Sequence, residues 1–181
     1  MAAGREALKD FQARVAQRLK VAGEEGGTAS WLAVALRDRN CLFPLSQANE
    51  VMPSAKITAV PYSKHWFLGA VNSRGRIYGV VDLAAYLAHL TDAAPTAPST
   101  SAQQTDFTLV GMNSELNINC VLVVHSVKGL RSPSAFVAEQ EPPPGAHGCW
   151  GPLYQDEDGK QWQEINLRNL SRSPDFLSIS V

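Results

Sequence analysis

The first apolar stretch of the chain has a helical rhythm. Leu8, Phe11, Val15 and Leu19 recur at three- and four-residue steps, which predicts a helix from about Arg5 to Val21 with one apolar face. Gly23, Gly26 and Gly27 stop it. Such a helix is marginal alone in water, so its stripe needs a partner, either the body of this protein or another molecule.

From Ser30 the rhythm changes to short apolar runs between turn residues. Trp31 to Leu36 and Cys41 to Leu45 flank the polar Arg37-Asp38-Arg39-Asn40, which predicts two strands joined by a tight turn. Pro44 cannot donate to a ladder, so its strand lies at an edge or ends there. Asn49 to Met52 is a short extended piece closed by Pro53, and Ile57 to Pro61 connects it onward. Trp66 to Val71 and Ile77 to Val81 form a hairpin, with Gly75 supplying the turn. Asp82 stands where a carboxylate can cap the alanine- and leucine-rich helix from Leu83 to Leu90.

Residues 91–105 are dominated by Ala, Pro, Ser, Thr and Gln and predict a flexible loop, since they offer little apolar surface to bury. Beyond it, Phe107 to Met112 and Ile118 to Val124 pair as strands. Val127 to Leu130 and Phe136 to Ala138 extend the β region. Cys149 to Tyr154 and Gln161 to Ile165 flank a hairpin turn at Asp156-Glu157-Asp158-Gly159. Asn166 caps a short helix through Leu167 and Leu170, and Phe176 to Ile179 ends the chain as a strand or a packed tail. Many short strands, tight turns and few helices favour small barrels or a sandwich over a parallel α/β sheet.

Composition narrows the function classes. The chain has 181 residues and is 45% apolar, enough for one ordinary domain or two small barrels sharing a core. The formal net charge is −1 with both signs scattered, so no basic stripe for nucleic acid appears. There is no run of 18 apolar residues, and charges throughout the N-terminal segment leave no apolar centre for a secretion signal. A cytoplasmic location is therefore expected.

Chemistry is sparse. Cys41, Cys120 and Cys149 are far apart and make no CxxC pair, so three reduced, buried thiols are expected. The four histidines, His65, His89, His125 and His147, show neither HxxxH nor HExxH spacing. His147 and Cys149 would need further ligands to hold a metal. The Asp156–Gly159 turn resembles part of a calcium loop but lacks the helix–loop–helix context. No GxSxG elbow, P-loop or GxGxxG occurs, which leaves a small hydrolase as a poor alternative. Two charges are more pointed: Glu50 lies within an apolar piece and Arg74 at the tip of a hairpin. A half-buried acid needs a cation, and the Arg74 fork can grip a carboxylate with two bonds. The two residues either pair or face solvent independently.

The run Leu45-Ser46-Gln47-Ala48-Asn49-Glu50-Val51 resembles the V-x-E-V segment of CheW-like domains. Val60-Pro61 follows at family spacing. Gly69, Asn72, Arg74, Gly75, Val80, Asp82 and Leu83 then match the pattern G-x-x-N-x-R-G-x-x-x-x-V-x-D-L. Gly148 to Gly151 and Trp162 to Leu167 look like the PilI-type members, which serve pilus-based twitching motility. The resemblance covers about Ala29 to Ile179, after an N-terminal helix and linker over 1–28. One departure is His125, where the family's second half often carries an aspartate.

The resemblance implies two five-stranded SH3-like β-barrels packed together. It implies a non-catalytic adaptor, without a cofactor or metal, that bridges a methyl-accepting chemoreceptor tip to the regulatory domain of a CheA-type histidine kinase in arrays at the cell pole. By the same resemblance Glu50 and Arg74 match an acid–arginine pair near a receptor-facing groove, and Asn72 and Gly75 match the turn that shapes it. Val34, Leu45 and Val71 are expected to line that groove. Another β-barrel interaction module is the alternative.

Overall fold

The computed structural model describes residues 29–37, 39–91 and 107–181. The helix expected from Arg5 to Val21 lies outside these residues, as does the expected loop over 91–105 apart from Thr91. The described chain runs β1 (Trp31–Ala35), β2 (Asn40–Pro44), β3 (Ala48–Pro53), β4 (Phe67–Ser73), β5 (Arg76–Asp82) and α1 (Leu83–Leu90). It continues through β6 (Thr108–Met112), β7 (Cys120–Val124), β8 (Ser126–Arg131), β9 (Phe136–Gln140), β10 (Trp150–Asp156) and β11 (Gln161–Ile165) to the short helices α2 (Leu167–Arg172) and α3 (Pro174–Leu177).

The strands form two sheets. The first has the order β8-β1-β2-β11-β10-β9 and the second β3-β6-β7-β5-β4. The expected mainly β architecture of two units therefore holds, with five strands in one unit and six in the other. The second sheet is inserted whole between β2 and β8 of the first. All four hairpins expected from the sequence are present: β1–β2, β4–β5, β6–β7 and β10–β11. Two further pairings, β2 with β11 and β5 with β7, are parallel. β2 ends at Pro44, which satisfies the proline's missing donor without placing the strand at an edge.

Side-chain alternation divides the core into three. Along β1, Trp31 and Ala33 join Leu42, Tyr154 and Trp162 in a core enclosed by the first sheet, while Leu32 and Val34 point into a central core between the sheets. Along β7, Val121 and Val123 join Met52, Val71, Val80 and Leu109 under the second sheet, while Cys120, Leu122 and Val124 face the central core. Both faces of these strands are buried, which explains their continuous apolar runs.

Caps tie the helices to the strands before them. The Asp82 carboxylate accepts the Ala85 amide at 3.1 Å, and the Asn166 side-chain oxygen accepts the Asn169 amide at 3.0 Å. Each such cap is worth about 1 kcal/mol. The end of the chain is a packed tail rather than a strand. Pro174 starts α3, and Phe176 is buried against Trp66 and Tyr86, with ring centroids 5.9 and 5.1 Å away. Beyond it, Ser180 makes a single bridge to Ser63.

Candidate docking site at the seam of the second sheet

β3 and β4 are the two edges of the second sheet, and the chain brings them together across a seam. At one end, Thr58 and Ala70 exchange two backbone hydrogen bonds of 2.8 Å. At the other, Arg74 Nη1 lies 2.8 Å from Glu50 Oε1. Between them is a cavity of about 300 Å³, with Met52, Val71 and Leu109 from the enclosed core among its lining and Asn72, Ser73 and Pro53 at its sides.

Local features of the sequence build each wall. Ala48 pairs with Met112 and Val51 with Val110, so Asn49 and Glu50 together oppose Gly111. This is a β-bulge, which re-aims a side chain out of the regular alternation. Gly111 faces the bulge, and a β-carbon there would meet the Glu50 carbonyl oxygen at 3.4 Å, an ordinary contact distance. The opposite wall is a two-residue turn in which Ser73 pairs with Arg76. Arg74 (φ 50°) and Gly75 (φ 79°) both occupy the left-handed region, as a type I′ turn requires. Glycine adopts that conformation freely, whereas arginine is held there at a cost of about 1 kcal/mol.

The Arg74 side chain is 81% exposed and that of Glu50 33%. The pairing excludes independent exposure of the two groups, and the exposure excludes a buried structural cation. An ion pair this open contributes about 0–1 kcal/mol to stability. Its planar guanidinium remains largely open to solvent, beside an apolar floor.

Of the expected groove residues, Glu50, Val71, Asn72 and Arg74 line the seam, and Gly75 completes its turn. Val71 is 3% exposed and forms part of the floor. Val34 is 0% exposed in the central core and has no surface to offer a partner, because both faces of β1 are covered. Leu45 is half-buried, packs against that same core and lies outside the seam. Sequence reasoning missed Leu109 and Gly111, which come from a strand remote in the chain. Val51, Met52 and Pro53 were legible only as a strand end.

The His147–Cys149 pair is structural. The imidazole Nδ1 lies 3.1 Å from Cys149 Sγ and accepts the Cys149 amide at 3.3 Å, while Nε2 lies 3.3 Å from Ser173 Oγ. Burial pushes the Cys149 thiol up to about 12, away from the thiolate a nucleophile or metal ligand needs. Among the described residues no three His, Cys, Asp or Glu side chains converge on a metal position. No helix among them is long and apolar enough to cross a membrane.

Residues 30–174 match the model of the CheW-like domain family, which spans well over half of the chain. The chain belongs to this family. It is 25% identical over 167 residues to protein PilI of Pseudomonas aeruginosa, covering 87% of this chain and 85% of that one. Its fold resembles the crystal structure of scaffolding protein TtCheW from Thermoanaerobacter tengcongensis, with a TM-score of 0.58 and 18% identity over 77% of this chain and 90% of that one. The chain is thus a CheW-like scaffold, and its CheW-like domain contains both sheets and the seam.

Proposed function

We propose that this CheW-like scaffold couples a chemoreceptor tip to a CheA-type histidine kinase in a pathway driving type IV pilus twitching, and that the receptor docks at the β3–β4 seam. The supporting observation is Arg74. It occupies a turn position that favours asparagine or glycine, and its guanidinium stands mostly in solvent, where its ion pair adds little stability. Strain retained without a stability return points to a role in recognition. Beside it, the Val71, Met52 and Leu109 floor offers apolar contact, and Asn72 and Glu50 offer polar edges. Apolar contact framed by a few polar groups is the composition of a protein-docking site. A helical receptor tip would lay its apolar face along such a groove. The PilI relative supports the pilus pathway, and family membership supports the two partners and a cytoplasmic position at polar receptor arrays.

Capture assays with a receptor signalling fragment and with the kinase regulatory domain test the proposal. Arg74→Asn should lose receptor capture at least tenfold while retaining the kinase. Full capture of both partners by Arg74→Asn, or of neither by the wild type, refutes it.

A further inference from the structure

Two exposed histidines are brought together away from the docking seam. His65 precedes β4, and His89 lies in the last turn of α1. Their ring centroids are 5.9 Å apart with the planes at 77°. Both side chains are exposed. His147 differs, because both of its ring nitrogens are engaged by Cys149 and Ser173. Among the described residues the rings of His65 and His89 meet each other, and no hydrogen-bond partner holds either of them.

We propose that His65 and His89 form a two-imidazole site for a first-row divalent transition ion of the copper, nickel and zinc class. Neutral imidazole is a preferred ligand for these ions. With metal–nitrogen bonds of about 2.1 Å, two rings on one tetrahedral ion have centroids about 5 Å apart. The observed spacing is within about 1 Å of that value, a movement open to two exposed side chains. His89 also lies at the C-terminal end of α1, where the helix dipole favours a cation. Two protein ligands leave the remaining positions to water, so the site exchanges its ion readily and binds copper more tightly than nickel or zinc. An ion held there ties the start of β4 to the end of α1. Its position is the opposite end of β4 from the Arg74 turn, so it is independent of the docking proposal.

The test is calorimetric titration of the untagged full-length protein with Cu²⁺ and with Ni²⁺, paired with thermal unfolding in each metal. The wild type should show one saturable site and a raised Tm, because an ion that binds only the folded state stabilises it. His65→Gln and His89→Gln should each weaken Cu²⁺ binding at least tenfold, and the double variant should lose the Tm rise. His125→Gln should titrate like the wild type. Metal-free melts of every variant should match the wild type, since all three positions are exposed. No saturable binding by the wild type overturns the proposal. So does a double variant that binds like the wild type, or a loss of binding in His125→Gln.

Discussion

A β-carbon placed on Gly69 would lie 2.1 Å from the backbone oxygen of Thr58. Gly69 also has a φ of 129°, which side-chain-bearing residues rarely adopt. Its bare α-carbon allows the Thr58–Ala70 bridge to close one end of the seam. Gly69→Ala should therefore cost about 2–4 kcal/mol, combining backbone strain with displacement of the bridge. Urea denaturation measures this, and a loss under about 0.5 kcal/mol would show that the bridge is dispensable.

Arg74 and Gly75 separate stability from recognition. Asn-Gly is the preferred pair for a type I′ turn, so Arg74→Asn should leave the fold unchanged or stabilise it by up to about 1 kcal/mol, despite losing the contact with Glu50. Denaturation midpoints of the variant and the wild type settle the sign. A loss above about 2 kcal/mol would make the ion pair a structural clasp.

Glu164 gives the fold a pH dependence. Its carboxylate accepts the Trp31 indole N–H at 2.7 Å. Burial, reinforced by Glu139 and Glu141, nevertheless raises its pKa above the ordinary carboxylate value. The folded state therefore holds this proton more tightly than the unfolded chain. The resulting stabilisation is full below the unfolded carboxylate pKa and is lost as pH rises through the elevated folded value. Glu164→Gln keeps an acceptor for Trp31 and removes the charge. It should raise Tm at neutral pH, and the gain should shrink as pH falls through the elevated folded value and be gone below the ordinary carboxylate range. An unchanged difference across pH 4–8 would contradict this assignment.

The three thiols should be inert in the folded protein. Cys41, Cys120 and Cys149 are all buried, and burial pushes Cys120 and Cys149 up to about 12. A disulfide-exchange reagent at pH 8 should find no fast-reacting group in the native chain and all three after denaturation. A rapid burst in the native state would reveal local opening.

Local structure was legible in the sequence. Each hairpin and both helix caps rest on residues a few positions apart, and Asp82 and Asn166 cap the helices that the pattern assigns them. Long-range pairing was not legible. Nothing near Trp162 in sequence announces that it pairs with Asn40 in a parallel ladder. The same limit divides the candidate site. Val71 to Gly75 lie in one hairpin and were found together, and the need of a half-buried Glu50 for a cation correctly pointed to Arg74. Leu109 and Gly111 complete the seam from a distant strand. Val34 was misplaced because an apolar run covered on both faces carries no signal distinguishing core from groove.

The insertion of one sheet inside the other has a consequence during synthesis. β1 and β2 can pair as soon as they emerge, but their outer neighbours, β8 and β11, are translated only after the whole second sheet. At ribosomal speeds of about 5–20 residues per second, the early hairpin waits on the order of ten seconds with its apolar edges exposed. The second sheet, whose strands are contiguous in the chain, is free to fold first, and the nascent hairpin is the point at which a chaperone would be needed.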